Sequence, residues 1–563
     1  MSPLGFPTSL HDSLMARLDR LGSVRRMAQI GAAIGREFPY GLLHAVAGLP
    51  EGQLQAALSR LVASELVFQR GMPPDAVYIF KHALVQDAAH SSLLRVSRQQ
   101  LHAKIAGALE AQSPELMDNQ PELFAQHYAD AGLIDKSVAH WGKAGHRSAA
   151  RSAMTEAAAQ FQKGLDQLAL LPDTPERQRQ ELELRSGLGA ALMIVRGYAA
   201  TETGQTNARA CELWEQLGSP SEFLHVPYRQ FFYHVNRCEF DLAERLAEDL
   251  LRLSRQHNDT AGLVLGHTCS GRTLVSVGRF VSARTHLEEA LALYNPVSHR
   301  PLAHQVGIYP EVTSRTNLAT VLFCLGFPDQ ALASNRAAVA AARRLAHPPS
   351  LALSLGFGTI MLALAGDDAI LGEQLDELAA VVAEHDIPVY RASGPLLRGW
   401  LKVKNGDVME GMSLLRTGST AYRATGQQAW MPLFAALEAA ACEIAGQIEA
   451  SMALVNEALQ IAGRTGERWF AAELNRQKGQ LLLQQAHTDD AEQLYGKALR
   501  IAVAQDAKLW ELRAAVSLAR LRRDQGRRTE ARDILAPIYG WFTEGFATQD
   551  LKEAKALLDA LSA

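Results

Sequence analysis

The chain has 563 residues, which is too long for one compact core and predicts either several domains or a solenoid. Apolar residues make up 48% and charged residues 21%, an ordinary balance for a folded protein, and the net charge of −4 argues against a chain that binds polyanions as a whole. The five cysteines are scattered without a CxxC pair. They predict neither a disulfide framework nor a zinc site and fit a reducing cytoplasm.

The first segment, residues 8–20, reads as an amphipathic helix capped by Thr8 or Ser9. Residues 1–20 contain charged side chains and no apolar core, so we expect no signal peptide. The longest apolar runs in the chain are about ten residues, short of the roughly 20 that span a bilayer. The sequence therefore predicts no membrane association.

Residues 21–112 have a different hydrophobic pattern. Three short helical segments are followed by two β-like runs, LVFQR and VYIF, on either side of the turn GMPPD. Three helices and a hairpin are the order of a winged helix. The third helix would be the DNA-reading one, yet it carries one base, Arg60, against Glu51 and Glu65. This composition favours a packing or hinge role over contact with nucleic acid.

From about residue 121 the chain is helical to its end and carries a repeat, in which a small or short residue marks every second helix. The marks are Thr203, Ala243, Ala283, Ala331, Gly372, Gly411, Ser451, Ala491 and Ala531. Most steps are 40 residues, and another small residue usually follows at +7, two helical turns further along the same face. Small side chains there let a neighbouring helix approach closely.

Tryptophans follow the same period, at Trp430, Trp469 and Trp510. A buried tryptophan removes roughly 150–250 Å² from water, so repeated inter-helix contacts explain them without a ligand. We therefore interpret these tryptophans, together with the small residues Ser451, Ala491 and Ala531, as structural marks of the repeat.

One step of the repeat is longer, 48 residues between Ala283 and Ala331, and it holds the Pro-rich insertion NPVSHRPLAHQVGIYP. Because this segment interrupts the stack, it is our candidate for ligand contact. The side chains proposed for that contact are His299, Arg300, His304 and Tyr309.

Signatures of catalysis are absent from the sequence: there is no HExxH, no GxSxG and no GxxxxGK[ST]. GAAIGREF has the glycines of a phosphate loop but lacks its Lys-Ser/Thr pair. We expect no catalytic residue, no metal and no cofactor. Seven arginines between Arg513 and Arg532 face two acids; this window forms either a phosphate-binding patch or, as we favour, a solvated outer face with helix caps.

The small residue, the Leu or aromatic residue at +4 and the small residue at +7 resemble the second helix of a tetratricopeptide repeat (TPR), with a period nearer 40 than 34. Longer stretches, LHDSLMARLDRL, AAIGREF, FKHALVQDAA, LPDTPERQRQELELR, GERWFAAEL and the run from Leu512, resemble the C-terminal part of a bacterial group. In that group a class III adenylate/guanylate cyclase domain, a STAND-type ATPase module and a TPR tail share one chain.

The resemblance implies an all-α fold: a right-handed TPR-like superhelix of about 40-residue helix pairs over 113–547, with a capping helix at 548–563. A small winged-helix domain at 21–112 would precede it, and residues 1–20 would be the remnant of an ATPase lid helix. His82 matches a winged-helix histidine that reaches the nucleotide phosphate in STAND ATPases, with a structural cap or a packed histidine as the alternative. The relatives' catalytic activity is not carried over, because neither the P-loop nor the cyclase domain is present in this sequence.

These observations favour a non-catalytic, cytoplasmic regulatory or sensor scaffold that binds a protein or small-molecule signal on the concave face of its superhelix. The alternative is the C-terminal fragment of a cyclase/STAND ATPase signalling protein. A third hypothesis is a transcription regulator acting through the winged helix. The signal, the partner and the oligomeric state are left open by the sequence.

Overall fold

The computed structural model describes residue 18 and residues 22–300, 302–385 and 387–562. The predicted helix at 8–20 lies outside the described residues apart from Leu18. The chain divides into two compact units, one of Met1–Arg147 with Ala159–Leu184 and one of Ser148–Ala158 with Arg185–Ala563. The boundary predicted at residue 112 falls within the first unit and stays a prediction.

The first part of the chain combines short helices with three strands. In chain order the elements are α1 (Arg25–Ile34), β1 (Glu37–Pro39), α2 (Tyr40–Ala47), α3 (Glu51–Ala63), β2 (Val67–Arg70), β3 (Val77–Phe80), α4 (Ala83–Ser91), α5 (Arg95–Gln112), α6 (Leu116–Asn119), α7 (Pro121–Ala131), α8 (Ile134–Ala150) and α9 (Met154–Leu168). A 3-10 turn at Gly22–Val24 precedes α1.

The strands form one antiparallel sheet in the order β1-β3-β2. The predicted hairpin is β2–β3, in which Val67 faces Phe80. Strand β1 was not anticipated, because three residues ending at Pro39 carry too little alternation to be recognised. Its central residue, Phe38, is fully buried and packs on Phe80 with ring centroids 5.4 Å apart. Phe38 belongs to the same buried cluster as Met27 and Ile30 of α1, which joins the sheet to the helical core of this unit.

The remainder of the chain is helical. The elements are α10 (Pro175–Val195), α11 (Thr201–Gln216), α12 (His225–Asn236), α13 (Phe240–His257), α14 (Thr260–Ser276), α15 (Phe280–Leu293), α16 (Leu302–Val306), α17 (Pro310–Leu325), α18 (Pro328–Arg344), α19 (Pro348–Ala365), α20 (Asp368–His385), α21 (Pro388–Lys404), α22 (Val408–Ala424), α23 (Met431–Ile444), α24 (Ile448–Thr465), α25 (Ala471–Gln484), α26 (Thr488–Ala504), α27 (Lys508–Asp524), α28 (Arg528–Tyr539) and α29 (Gln549–Ser562).

The predicted all-α, TPR-like stack of helix pairs is confirmed. In every pair but that of α19 and α20, the second helix carries the small-residue mark and buries one face, as α15 does with Ala283, Leu287 and Ala290. The first helix is buried more completely; every residue of α17 except Arg315 is buried. We call the first members inner helices and the second members outer helices.

One mark of the repeat was assigned wrongly, at Gly372. The buried positions of α20 are Leu371, Leu375 and Leu378, whereas Gly372 is only partly buried. With Leu371 as the mark, the steps on either side become 40 and 40. Gly372 was chosen because the repeat pattern calls for a small residue at this position. Helix α20 departs from that pattern, since it has leucine at positions 0 and +7.

Helices five repeats apart also contact one another within the second unit. The backbone N–H groups of Gln428 and Ala429 donate to the carbonyl oxygen of Asn236, at 2.9 and 3.1 Å. The N–H groups of Arg468 and Trp469 donate in the same way to Ser276, at 2.8 and 3.2 Å. These bonds join the ends of α12 and α14 to the loops before α23 and α25. We call this line of contacts the seam.

Helix α19, Pro348–Ala365, is long and apolar enough to cross a membrane by length and composition. Most of it, 83% of the apolar window, is buried among other helices. Its hydropathy therefore reflects its place in the core of the stack.

Candidate functional site

A small cavity lies among the inner helices, beside the seam. Its volume is about 50 Å³, enough for a few water molecules. We call it the central chamber. It is lined by Tyr198, Phe232, Asn236, Arg272, Thr313, Asn317, Leu353, Gly356, Phe357, Ile360, Val389, Tyr390, Ser393, Tyr422, Gln427, Trp430 and Phe434.

Amide side chains give the chamber unused hydrogen-bonding capacity. Gln427 Nε2 donates to Asn236 Oδ1 across the seam at 3.0 Å. Asn317 Nδ2 donates to the carbonyl oxygen of Thr313 at 2.8 Å. Asn317 Oδ1 and Gln427 Oε1 are buried without a protein partner. A buried acceptor without a partner costs free energy, so a water molecule or a ligand donor is needed at each.

The chamber also holds a buried cation. Arg272 is 3% exposed, and its Nη1 donates to Ser276 Oγ at 2.7 Å. Its guanidinium carbon lies 5.2 Å from the ring centroid of Trp430, which is cation–π geometry. Burial lowers the pKa of Arg272, and the nearby Glu467 carboxyl acts in the opposite direction. A desolvated guanidinium beside a cavity lined mainly by apolar and aromatic side chains is suited to an anionic or carbonyl-bearing ligand.

Glu467 is the acidic group next to the chamber. Its two carboxyl oxygens accept the backbone N–H of Trp430 at 3.0 and 3.1 Å. Its Oε1 also accepts Trp469 Nε1–H at 3.2 Å. Burial raises the pKa of Glu467 to about 7, although these hydrogen bonds and Arg272 act to lower it. The group therefore titrates near neutral pH.

The three periodic tryptophans lie next to one another. Trp430 and Trp469 have ring centroids 4.7 Å apart, and Trp469 and Trp510 6.4 Å apart. Trp510 also meets Phe323 of α17, with centroids at 6.1 Å. All three indoles are buried, so the line of tryptophans fills space between segments that are distant in sequence.

The insertion after Tyr294 is buried at His299 and from Val306 to Tyr309 and exposed at residues 295–298, and its candidate residues do not converge on one site. His299 is 6% exposed, and its Nδ1 accepts the backbone N–H of Asn295 at 3.1 Å. Tyr309 is 3% exposed and packs edge-on against His347, with centroids 5.2 Å apart. Arg300 is exposed. The side chain of His304 lies outside the described part of the structure.

A buried arginine holds the insertion in place. Arg229 of α12 is fully buried, and its Nη1 donates to the carbonyl oxygen of Gln305 in α16. Its Nη2 donates to Ser186 Oγ at 2.9 Å, and Ser186 in turn meets His225 Nε2 at 2.7 Å. Arg229 Nε has no protein partner. The insertion thus covers a polar cluster on the inner surface of the first repeats.

Sequence reasoning missed Arg229, Arg272 and Glu467, which carry the buried charge of this region. The available signal was a charged residue inside an apolar helix pattern, as for Arg272 in TCSGRTLV. Reading Arg272 together with Glu467 required knowing that segments about 190 residues apart meet. The 40-residue period alone does not show which segments of the chain meet in space.

Two other candidates have a clear place in the structure. His82 is exposed at the N-cap of α4, and its side chain makes no capping hydrogen bond. In the arginine-rich window, Arg513 pairs with Asp550 at 2.7 Å and Arg520 with Glu553 at 2.7 Å. Arg522 pairs with Glu492. These arginines already have carboxylate partners, which leaves less positive charge for phosphate than the sequence suggested.

No group of three or more His, Cys, Asp or Glu side chains is arranged to hold a metal ion in the part of the chain that the structure describes.

No protein-family model matches the chain. Among curated proteins, an uncharacterised protein of Rhizobium meliloti (strain 1021) is 24% identical over 513 residues, covering 90% of this chain and 50% of that protein. The chain therefore spans about half the length of the curated relative it matches.

Solved structures with a similar arrangement of helices include a Rap protein complexed with competence and sporulation factor. It is 13% identical, with a TM-score of 0.46, covering 66% of this chain and 99% of that one. The apo quorum sensor NprR from B. thuringiensis is 14% identical, with a TM-score of 0.39, covering 65% and 99%. Yeast Tom70 is 11% identical, with a TM-score of 0.32, covering 82% and 96%.

Proposed function

We propose that this chain is a non-catalytic regulatory scaffold of the cytoplasm that binds a peptide or small-molecule signal through its helical repeat. The observation that supports the proposal is the central chamber, where Arg272 and the free acceptors of Asn317 and Gln427 face a cavity. Buried acceptors without a protein partner cost free energy, so water in the chamber or a bound ligand must supply their partners. They are useful if a ligand supplies the partners.

Ligand entry would couple to the seam. At about 50 Å³ the chamber holds water but no peptide. A larger ligand must therefore separate the seam, for example the bonds from Gln427 and Gln428 to Asn236. A ligand that binds the separated form more tightly would shift the population toward it. Binding and a change of conformation would then be one event, as a sensor requires.

The first part of the chain would transmit that change. We propose that residues 21–112 form a winged-helix domain, on the basis of their helix order and the β2–β3 hairpin. The single base Arg60 of α3 favours a packing or hinge role in signal transmission over DNA reading. A gel-shift assay at low salt that detects no DNA binding is the expected result.

The test is a thermal-shift screen of the full chain against peptide and metabolite libraries, followed by calorimetry on each compound that raises the melting temperature. Arg272→Gln is expected to abolish or strongly weaken the binding of a true ligand. The control is Arg245→Gln, an exposed position on outer helix α13. If no compound binds, or if both variants bind a compound equally well, the central chamber is not the site.

The second candidate is the C-terminal part of a cyclase/STAND ATPase signalling protein. It is favoured by the twofold greater length of the Rhizobium meliloti relative, which leaves half of that protein unmatched. A P-loop encoded in frame or immediately upstream of this sequence would support it, and unrelated upstream sequence would contradict it. A nucleotide-binding assay on this chain alone should be negative under both candidates.

A further inference from the structure

We propose that the first unit contains an acid-sensitive switch, in which a row of three histidines joins helices α4, α5 and α7 while the rings are uncharged and comes apart in acid. The three are His90 of α4, His102 of α5 and His127 of α7. We call them the histidine row. They belong to the unit that holds the sheet, whereas the central chamber and the signal binding proposed above belong to the second unit.

The rings of the histidine row contact one another through their nitrogen atoms. His90 Nε2 lies 3.2 Å from His102 Nε2, and His102 Nδ1 lies 2.9 Å from His127 Nδ1. His102 and His127 are 3% and 4% exposed, and His90 is half-buried. His102 therefore uses both of its nitrogens for contacts with other histidines, away from water.

These contacts limit how many protons the histidine row can hold. A contact between two ring nitrogens needs exactly one proton, because two protons repel each other and so do two lone pairs. The two contacts thus hold two protons, and the outer nitrogens, Nδ1 of His90 and Nε2 of His127, hold one each at most. Three neutral rings already carry three protons. The row can accept one more, and a second positive charge can enter only if a contact breaks.

Burial opposes even the first added charge. It is the largest cause that lowers the pKa of His90 and of His102, and it lowers the pKa of His127 to about 4. An unfolded histidine titrates near 6.5. Because the closed row binds protons more weakly than the open one, it is stable above about pH 6.5 and loses stability as the pH falls below that value.

Charged and titratable groups surround the histidine row on several helices. Asp87 of α4 and Asp130 of α7 act to raise these histidine pKa values, and Arg98 of α5 acts to lower them. On α8, His140 packs on the ring of Tyr128 with centroids 5.3 Å apart, and burial lowers its pKa as well. The charges that act on His140 are those of Lys143, Glu110 and Lys136. The nearby carboxylates therefore reduce the effect of burial without reversing it.

The other polar contacts of α4 do not titrate. Gln29 Nε2 of α1 donates to Ser92 Oγ at 2.9 Å, just after α4. Gln86 Nε2 of α4 donates to the carbonyl oxygen of Ala32 in α1 at 3.3 Å. Acid leaves these amide contacts with α1 intact and acts on the side of α4 that meets α5. The end of α4, which follows the sheet directly in the chain, is thus the part that acid releases.

The test is hydrogen–deuterium exchange of the full chain at pH 7.5, 6 and 5, with rates corrected for the intrinsic effect of pH on amide exchange. Near pH 5 the open row takes up almost three protons and the closed row holds at most one, so opening is linked to about two protons. We expect protection across residues 86–102 to fall by at least about 30-fold between pH 6 and pH 5.

The deciding variant is His90→Gln, because its amide can replace Nε2 as a partner of His102 and does not titrate. The open row then takes up one proton fewer, so the fall in protection should be about tenfold smaller. The control is His257→Gln, an exposed histidine at the end of α13, which should behave as the unaltered chain does. Should His90→Gln lose protection already at pH 7.5, His127→Asn, whose amide replaces Nδ1, gives a second measurement with the same expected reduction.

Three results would overturn the switch. The first is an equal fall in protection in the histidine-row variant and in His257→Gln, and the second is a smaller fall than expected in the unaltered chain. The third is loss of protection across residues 86–102 when EDTA is added at pH 7.5, because a metal ion and not a shared proton would then join the rings.

Discussion

Glu467 is a buried carboxyl whose ionisation is linked to the stability of the fold. Burial raises its pKa to about 7, whereas an unfolded glutamate titrates near 4.3. The folded chain holds this proton to higher pH than the unfolded chain does. The proton's contribution to stability is therefore complete below about pH 4 and is lost as the pH rises toward 7, with a full effect of about 4 kcal/mol.

We predict that Glu467→Gln reduces the loss of stability between pH 5 and pH 8. Glutamine resembles the protonated acid and keeps an oxygen that can accept the Trp430 or Trp469 N–H group. Thermal melts followed by circular dichroism measure the effect as a smaller fall in melting temperature over this range. Glu530→Gln is the control, because Glu530 lies on the surface in an ion pair with Arg527. Parallel pH profiles for both variants and the unaltered chain would contradict the prediction.

The structural role of some residues could be predicted from the sequence, and that of others could not. Trp469 and Trp510 could be identified as periodic, and they are buried. The link between Arg272 and Glu467 could not be predicted, because it depends on which repeats meet after five steps. His299 was predicted to contact a ligand because it lies in an insertion, yet it packs inward. Nothing in the local sequence separates an insertion that packs inward from one that faces solvent.

At the scale of elements, the spacing between small residues decides how closely helices approach. The 40-residue period gave the outer helices from α11 to α28, because a small residue at the contact face leaves a mark in the sequence. It failed at α20, where Leu371 takes that position and Gly372 beside it misled the assignment. The leucine at the marked position of α20 can be recognised in the sequence only after the register of the repeat in that helix is known.

Helix α21 offers a matched test of this principle with two glycines. We predict that Gly399→Ala destabilises the chain by about 1–3 kcal/mol, because its Cβ would press on the backbone of Gly411 and Leu415. Gly394→Ala, about one and a half turns earlier, should change stability by less than about 1 kcal/mol, because the gain in helix propensity is opposed by the restriction that Pro395 places on the preceding residue. Urea unfolding measures both. If Gly399→Ala proves as stable as Gly394→Ala, the close contact between α21 and α22 does not exist.

At the scale of the second unit, contacts between distant repeats add to those between neighbours. A solenoid whose repeats meet only their neighbours gains stability one interface at a time. Here the seam adds bonds between segments about 190 residues apart, at Asn236 and Ser276. Arg513 likewise donates from α27 to the carbonyl oxygen of Leu364 in α19. The 40-residue period predicted the stack of helix pairs. The small rotation between successive pairs, which brings these distant segments together, cannot be predicted from the sequence pattern.

Glu544 makes one such contact near the C-terminal end. Its Oε1 accepts the backbone N–H groups of Asp329 and Gln330 at 2.9 and 3.1 Å, at the first turn of α18. In return, the N–H of Gly545 donates to Asp329 Oδ2 at 3.0 Å. The carboxylate therefore acts as an N-terminal cap supplied from about 215 residues away, and negative charge suits that end of a helix.

We predict that Glu544→Ala loosens this contact without unfolding the stack. Loss of a cap costs about 1 kcal/mol, and the segment around Gly545 would lose its hold on α18. Hydrogen–deuterium exchange should rise at the amides of Asp329 and Gln330 and across residues 541–548, while inner helices such as α17 stay protected. Glu530→Ala, which removes the ion pairs of Glu530 with Arg527 and Arg522 but makes no contact with α18, should leave these amides unchanged. If exchange at 541–548 is the same in both variants, the C-terminal end is held by its neighbours alone, and contacts between distant repeats contribute nothing there.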